Sequence, residues 1–157
     1  MIRPMRDEDR PAVRTLIEAT QFFRPDELVV AEELIDIYLY HPRQKDYEVV
    51  VVETPRSEVA GYLTWGPTAL TLGTYDLYWM AVSPGHQGKG YGRQLVEWLE
   101  AKVKALGGRI IIIETSSTPK YDPTRRFYFG LGYREIARLP EFYAPGDDRV
   151  IYMKSLV

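Results

Sequence analysis

The sequence predicts an α/β protein built on a mixed β-sheet, and three observations indicate this class. Hydrophobic residues recur at helical or strand-like spacing in successive segments, in the order β-α-α-β-β-β-α-β-α-β-β. A run of four valines and a later run of four isoleucines indicate buried strands, because β-branched residues pack well on a pleated surface. Between these runs, a glycine-rich turn joins a strand to a helix, which is typical of a β–α–β unit.

The first part of the chain predicts a short strand followed by two helices. Residues 1–5 form the strand, and three acidic residues at positions 7–9, with Pro11 behind them, mark the start of the first helix. A break at residues 21–26 separates the two helices. One face of the first helix consists of Val13, Leu16, Ile17 and Thr20, and the apolar stripe of the second consists of Leu28, Ala31, Leu34, Ile35 and Tyr38.

Three strands follow in the middle of the chain. Residues 47–53 include the four valines and predict the first of them. Residues 59–65 predict a second strand, antiparallel to the first across a turn at residues 54–58. Residues 74–82 predict a third strand, which leads directly into the glycine-rich turn.

The remaining elements complete the β–α–β unit and close the sheet. A helix follows the glycine-rich turn and ends at Gly107. Residues 109–115 hold the four isoleucines and predict a strand buried on both faces, which favours a parallel neighbour. A short helix at residues 124–131 and two closing strands at residues 134–139 and 149–155 follow.

The composition bounds the class of protein. With 157 residues, 45% of them apolar and 27% charged, the chain has the balance of one soluble domain, which we expect to span residues 1–157. The net charge of −2 provides no basic field for nucleic acid or an anionic membrane. The chain has no cysteine and only two histidines, which excludes thiolate chemistry and a His-rich metal site. No apolar stretch has the length of a signal sequence or a membrane span, so we expect a soluble, cytoplasmic protein.

The glycine-rich turn, QGKGYG at residues 87–92, has the features of an anion-binding site. A helix start presents unsatisfied N–H groups and a partial positive charge, and glycines allow a ligand to approach them closely. The spacing fits neither of two common phosphate loops. A P-loop needs Gly-Lys-Ser/Thr, but Gly90 follows Lys89. The dinucleotide motif G-x-G-x-x-G would need a glycine at the position of Arg93 or Leu95.

Two signatures resemble those of the GNAT acetyltransferase superfamily. The first is Arg/Gln-x-x-Gly-x-Gly/Ala, whose positions are filled here by Gln87, Gly90 and Gly92 after a strand ending in WMAVSP. The second is an aromatic-Tyr pair on a short helix ending in Leu-Gly-Phe/Tyr, which FYFGLGY at residues 127–133 resembles. The resemblance extends over essentially the whole chain through the order of the elements. It implies a three-layer sandwich, with helices on both faces of a twisted, mixed and mostly antiparallel sheet.

The resemblance implies an acetyl-CoA-dependent N-acetyltransferase in which an amine attacks the thioester directly. Acetyl-CoA would be the acyl-donor co-substrate, no metal is implied, and Tyr128 would protonate the departing thiolate of CoA. Tyr121 stands where many members carry an asparagine that contacts pantetheine. The residues expected to bind acetyl-CoA are Met80, Ala81 and Val82 on the strand, Gln87, Gly88, Lys89, Gly90, Tyr91, Gly92 and Arg93 on the loop, and Tyr121.

A general base must take a proton from the incoming amine, directly or through water. Glu114, at the end of the isoleucine strand, is the first candidate, and Asp76 and Glu53 are competing carboxylates. Residues 22–24 (FFR) lie between the first two helices, where the family usually forms one wall of the acceptor site.

The acceptor itself is left open by the sequence. A small amine, an amino acid, an antibiotic and a peptide or protein amine all fit, because function depends on the site rather than on the fold. A non-catalytic acyl-CoA-binding sensor module is the alternative function. Nucleic-acid and membrane partners are not expected, and homodimer formation is left open.

Overall fold

The computed structural model describes residues 1–157, which form one seven-stranded sheet and four α-helices. Short 3-10 turns precede α1, α3 and α4 in the chain. The strands are β1 (Ile2–Pro4), β2 (Glu48–Glu53), β3 (Val59–Pro67), β4 (Thr74–Val82), β5 (Ile110–Ser116), β6 (Arg134–Ala144) and β7 (Asp147–Ser155). The helices are α1 (Arg10–Thr20), α2 (Pro25–Tyr40), α3 (Tyr91–Ala105) and α4 (Asp122–Gly130). This element order confirms the prediction from the sequence.

The strand order in the sheet is β1-β2-β3-β4-β5-β7-β6. β4 and β5 run parallel, and every other neighbouring pair is antiparallel. The isoleucine strand therefore has the parallel neighbour that its burial predicted. A mixed, mostly antiparallel sheet is confirmed.

Two hydrophobic cores lie on opposite faces of the sheet and make three layers. One core joins the sheet to α3 and α4, with Leu95, Leu99 and Tyr128 among its members. The other joins the sheet to α1 and α2, with Val13 and Ile17 among its members. Helices therefore cover both faces, as predicted. No helix combines the length and the apolar character needed to cross a membrane.

The hairpin of β6 and β7 is longer than the sequence predicted. The closing strands were expected at residues 134–139 and 149–155, but β6 extends to Ala144 and β7 begins at Asp147. Every residue of β6 is exposed, so no alternation of apolar and polar residues marks its second half. The turn uses Gly146 at a φ of 80°, a left-handed conformation that favours glycine.

Candidate active site at the diverging strands

A wedge opens between β4 and β5, because the two strands pair only along their first halves. The paired part runs from Thr74 opposite Ile110 to Leu77 opposite Ile113. β4 then continues along β3 as far as Val82, while β5 continues along β7. Ligand crevices in open α/β sheets lie at the carboxyl ends of such strands. The wedge is therefore the candidate ligand crevice of this fold.

A β-bulge at Tyr78 accompanies the divergence. Trp65 lies opposite Leu77, whereas Thr64 lies opposite Trp79, so Tyr78 is the extra residue on β4. A bulge bends a strand and increases its twist. It also changes which side chains face which core, since Leu77 belongs to the core under α3 and Trp79 packs against the core under α1. The sequence contains no signal for this bulge within its apolar run.

The three strand residues predicted to bind acetyl-CoA border the wedge. Met80 packs against the α3 side, and Ala81 is buried on the α1 side. Both residues and Val82 pair with β3 through one edge of β4. Beyond Leu77 the other edge of β4 pairs with no strand. Its backbone groups are available to an extended ligand, as in peptide recognition by strand addition.

The predicted loop presents free backbone N–H groups at the start of α3. Gly88 and Gly90 have φ values of 75° and 88°, and a Cβ atom on either would meet no atom within 4 Å. The first backbone hydrogen bond into the helix runs from the Gln94 N–H to the Gly90 carbonyl at 3.0 Å. The N–H groups before Gln94 in this loop therefore have no backbone acceptor. Such a helix start binds anions, phosphate above all.

The side chains of the loop make their contacts away from these N–H groups. Gln87 donates to the Val82 carbonyl at 3.1 Å and so ties the loop to the end of β4. Arg93 is paired with Glu97 at 3.1 Å on the helix surface. Lys89 is exposed, and the Tyr91 ring packs edge-on against His86. The backbone N–H groups of the loop are therefore the polar groups left free for an anion.

Gly92 allows close packing between the start of α3 and α4. A Cβ atom at this position would lie 3.3 Å from Cζ of Phe127 on α4. The absence of a side chain therefore lets α4 pack closely against the start of α3. This contact brings the two predicted signatures together at the wedge.

Tyr128 lies on α4 in the core beside the wedge. It is buried, and its ring packs edge-on between Phe127 and Tyr133 at centroid distances of 5.2 and 5.9 Å. Its hydroxyl makes no hydrogen bond within the protein, and the residue as a whole is 5% exposed. Burial raises the pKa of the Tyr128 phenol, which keeps it protonated at neutral pH. A protonated phenol whose ring is fixed by packing is a suitable proton donor.

Glu114 is the first residue of β5 beyond the part paired with β4. Ile113 before it is buried in the core under α3, so the Glu114 side chain points to the opposite face of the sheet. There its carboxylate forms an ion pair with Arg149 on β7. Tyr128 and Glu114 therefore approach the wedge from opposite faces of the sheet.

The two competing carboxylates lie elsewhere. Asp76 is opposite Ile112, in the closed part of the strand pair, and accepts a hydrogen bond from the Thr68 hydroxyl at 2.6 Å. Glu53 ends β2 and pairs with Arg3 at 2.7 Å. Both β3 and β4 separate it from the wedge. Of the three candidates, Glu114 is the one that the fold brings to the wedge.

Aromatic side chains gather beside the wedge on the α1–α2 side. Phe23 packs edge-on against Trp79 at 5.2 Å. Phe22 packs against Tyr121 at 5.5 Å, and Lys120 donates to the Phe22 carbonyl at 2.9 Å. Burial, with the nearby Glu27 carboxylate, raises the pKa of Tyr121 to about 12. Tyr121 is thus placed against the loop between α1 and α2.

Sequence reasoning missed three residues on this side. Phe142 and Tyr143 come from the unpredicted half of β6, and Arg149 comes from β7. The Arg149 guanidinium lies over the Phe142 ring at 4.7 Å. An adjacent pair of aromatic residues in a polar stretch was the one available signal for them.

No group of three or more His, Cys, Asp or Glu side chains is arranged to hold a metal ion. His41 follows the end of α2. His86 lies in the turn before α3, with its Nε2 3.7 Å from a Glu58 oxygen. That the reaction needs no metal stays a prediction.

Comparisons with known proteins agree with this geometry. The family model described as acetyltransferase (GNAT) domain matches residues 45–135, which include the wedge, the loop and α4. The crystal structure of a GNAT-family protein from Desulfovibrio desulfuricans is 42% identical and superposes with a TM-score of 0.93, covering 100% of this chain and 99% of that one. A search of the curated proteins found no match.

Two more distant structures show likeness of fold. The ribosomal-protein-S18-alanine N-acetyltransferase from Escherichia coli is 19% identical, with a TM-score of 0.77 over 99% of this chain and 93% of that one. An aminoglycoside 6'-N-acetyltransferase complexed with coenzyme A is 18% identical, with a TM-score of 0.74 over 100% and 97%. The named acceptors of these two proteins differ, so the shared fold does not specify an acceptor.

Proposed function

The chain belongs to the GNAT acetyltransferase family, and from this premise we propose that it is an acetyl-CoA-dependent N-acetyltransferase acting on an amine. The family supplies the class of reaction, which is acyl transfer. The finer proposal depends on the position of Tyr128 and Glu114 on opposite faces of the sheet at one wedge. Acyl transfer from a thioester to an amine needs an acid for the sulfur and a base for the nitrogen. We extend the proposal to residues 1–157 as one catalytic domain.

Backbone groups of the chain would hold acetyl-CoA, the acyl donor. The N–H groups around Gly88 and Gly90 suit the pyrophosphate, because the space before them is open and a helix start favours anions. The unpaired edge of β4 at Met80, Ala81 and Val82 suits the extended pantetheine arm.

The amine nitrogen attacks the carbonyl carbon of the thioester directly. The C–N bond forms, Glu114 receives a proton from the nitrogen, the C–S bond breaks, and Tyr128 gives its phenolic proton to the sulfur. For a neutral amine, the nitrogen loses one proton and the sulfur gains one, so the reaction releases no net proton. Solvent then takes the proton from Glu114 and returns one to Tyr128. The products are the acetylated amine and free CoA.

The test is release of free CoA from acetyl-CoA in the presence of amines of several classes. The panel holds an aminoglycoside, amino acids, a polyamine and a peptide with a free N-terminus. We expect at least one of them to raise thiol release above the rate without acceptor, and to gain the mass of one acetyl group. If the protein binds CoA in calorimetry but acetylates no amine, it is the non-catalytic acyl-CoA sensor instead.

Gly90→Ala is expected to weaken CoA binding about tenfold, a loss of about 1.4 kcal/mol. The added methyl group would lie in the open space before the helix start, where it keeps a phosphate from the N–H groups. The φ of 88° also costs a residue with a Cβ atom about 1 kcal/mol of stability. Calorimetric titration with CoA and thermal unfolding measure the two effects separately.

Gly107→Ala at the other end of α3 is the matched control. Gly107 has a φ of 79°, and a Cβ atom there would also meet nothing within 4 Å. We expect it to lose a similar amount of stability and to keep its affinity for CoA. Equal affinities for CoA in the two variants would argue against the loop as the pyrophosphate site.

A further inference from the structure

Arg149 and Glu114 form a pair of opposite charges on the acceptor side of the wedge. Ser116 lies opposite Arg149 and Glu114 lies opposite Ile151, so the two charged residues are diagonal neighbours on adjacent strands. Their side chains point to the same face and their charged groups are in contact. The pair is accessible, with 36% of the Glu114 side chain and 25% of the Arg149 side chain exposed.

The guanidinium of Arg149 has unused hydrogen-bonding capacity. One of its terminal nitrogens meets Glu114, whereas its Nε is buried and has no hydrogen bond partner. Because Nε has no hydrogen bond to give up, the guanidinium can turn away from Glu114 without breaking a second one. Arginine presents its donors in a planar fork that matches a carboxylate.

Other charged groups near the pair already have partners. Asp147 accepts hydrogen bonds from the Ser116 hydroxyl at 2.5 Å and the Ser117 N–H at 3.3 Å. Glu27 accepts one from the Arg24 N–H at 3.2 Å, at the start of α2. Lys120 donates to the carbonyls of Gln21 and Phe22. Arg149, by contrast, has an unpaired Nε, and its one charged partner is Glu114.

An aromatic surface adjoins the pair. Phe142 carries the Arg149 guanidinium on its ring and packs edge-on against Tyr143 at 5.1 Å. Both rings are exposed, at 51% for Phe142 and 42% for Tyr143. Burial and the nearby Glu114 carboxylate raise the pKa of Tyr143, which is consistent with a position beside the pair. Exposed aromatic surface next to a charged pair suits an apolar side chain.

We propose that the acceptor is a free α-amino acid with an apolar or aromatic side chain, bound through Arg149 on its carboxylate and Glu114 on its amine. This inference depends on the proposed function. An α-amino acid carries an ammonium and a carboxylate group on one carbon, so a cation and an anion in contact suit it. On binding, it replaces the internal ion pair between Arg149 and Glu114 by two ion pairs with the ligand. Glu114 takes one proton from the ammonium and passes it to solvent, which leaves the neutral amine that attacks the thioester. An amine without a carboxylate would draw Glu114 away and leave Arg149 unpaired.

The test compares L-phenylalanine and L-leucine with their carboxamides as acceptors for acetyl-CoA. We expect kcat/KM for each acid to exceed that for its amide about tenfold to hundredfold. The amide has the less basic amine, so chemistry alone would favour the amide. Arg149→Gln should abolish the preference, because KM should rise much more for the acids than for the amides. Arg149→Lys should restore part of it.

Arg138→Gln is the control, because Arg138 lies on the same hairpin and pairs with Glu135 at 2.9 Å away from Glu114. It should keep the full preference for the acids. Thermal unfolding and CoA titration establish that each variant is folded. The inference would be overturned if the amides react as fast as the acids, or if Arg149→Gln lowers kcat/KM equally for acids and amides. Either result would leave the proposed function standing.

A binding measurement separates this inference from the proposed function. L-Phenylalanine and its amide are titrated into the protein saturated with CoA. The inference is supported if the acid binds more tightly than the amide and Arg149→Gln removes this difference. If that result is obtained but no amine is acetylated, only the proposed function fails. Absence of such selective binding counts against the inference.

Discussion

Tyr128→Phe is expected to lower kcat about 100-fold or more while leaving the affinity for CoA within about twofold. The phenol makes no hydrogen bond within the protein, and its ring packs between Phe127 and Tyr133. The substitution therefore removes the proton donor and keeps the packing. The departing thiolate would then have to take its proton from water. Thiol release under saturating acetyl-CoA measures the loss.

Tyr133→Phe is the matched control for this experiment. Its hydroxyl donates to Glu100 at 3.1 Å, a contact that serves stability. We expect a loss of about 1 kcal/mol of stability and a rate close to wild type. Full activity of Tyr128→Phe, or an equal loss of rate in both variants, would remove Tyr128 from the proposed mechanism.

The proposed role of Tyr128 also predicts how the rate depends on pH. Burial raises the pKa of the Tyr128 phenol above its ordinary value of about 10. The phenol must be protonated to donate, so a raised pKa moves the loss of activity toward more alkaline pH. Ionisation of Tyr128 should therefore not lower the rate below about pH 10. A decline near pH 9 that disappears in Tyr128→Phe would contradict this assignment.

Glu114→Gln is expected to lower kcat/KM about 100-fold near neutral pH. Glutamine keeps the size of the side chain but cannot accept the proton of the amine. The rate of the variant should rise with pH until the amine is deprotonated in solution, because the free base then needs no help. The wild-type rate should depend less steeply on pH over the same range. Steady-state rates from pH 6 to pH 9 measure both profiles.

Asp76→Asn tests the competing carboxylate in the same assay. Asp76 lies in the closed part of the strand pair, and asparagine retains an oxygen for the hydrogen bond from Thr68. We expect a rate close to wild type and an unchanged pH profile. A large loss in Asp76→Asn with little loss in Glu114→Gln would reverse the assignment of the base.

Local signals in the sequence predicted much of the fold. The bounds of β4, the turn at Gly88 and Gly90, and the helix carrying Tyr128 follow from hydrophobic period and from glycine chemistry. These features depend on residues close together in the chain. The parallel pairing of β4 with β5 also followed, because the isoleucine run predicts burial on both faces.

Other features depended on contacts that local patterns do not encode. The bulge at Tyr78 lies inside an apolar run and is visible only in the pairing with β3. The second half of β6 is wholly exposed, so no alternation marked it. Its extension brings Phe142 under the guanidinium of Arg149.

The sequence by itself determined the family, the order of the elements and the glycine-rich loop at the start of α3. Each of these follows from the spacing of residues along the chain. Glycines leave the backbone N–H groups accessible at a helix start, and a tyrosine lies on a short helix later in the chain. The tertiary structure alone decided which carboxylate reaches the wedge and what stands beside it. Glu114 and Arg149 are far apart in sequence and meet because β5 pairs with β7. The proposed acceptor side is assembled from several elements, so its chemistry appears only when the sheet is complete.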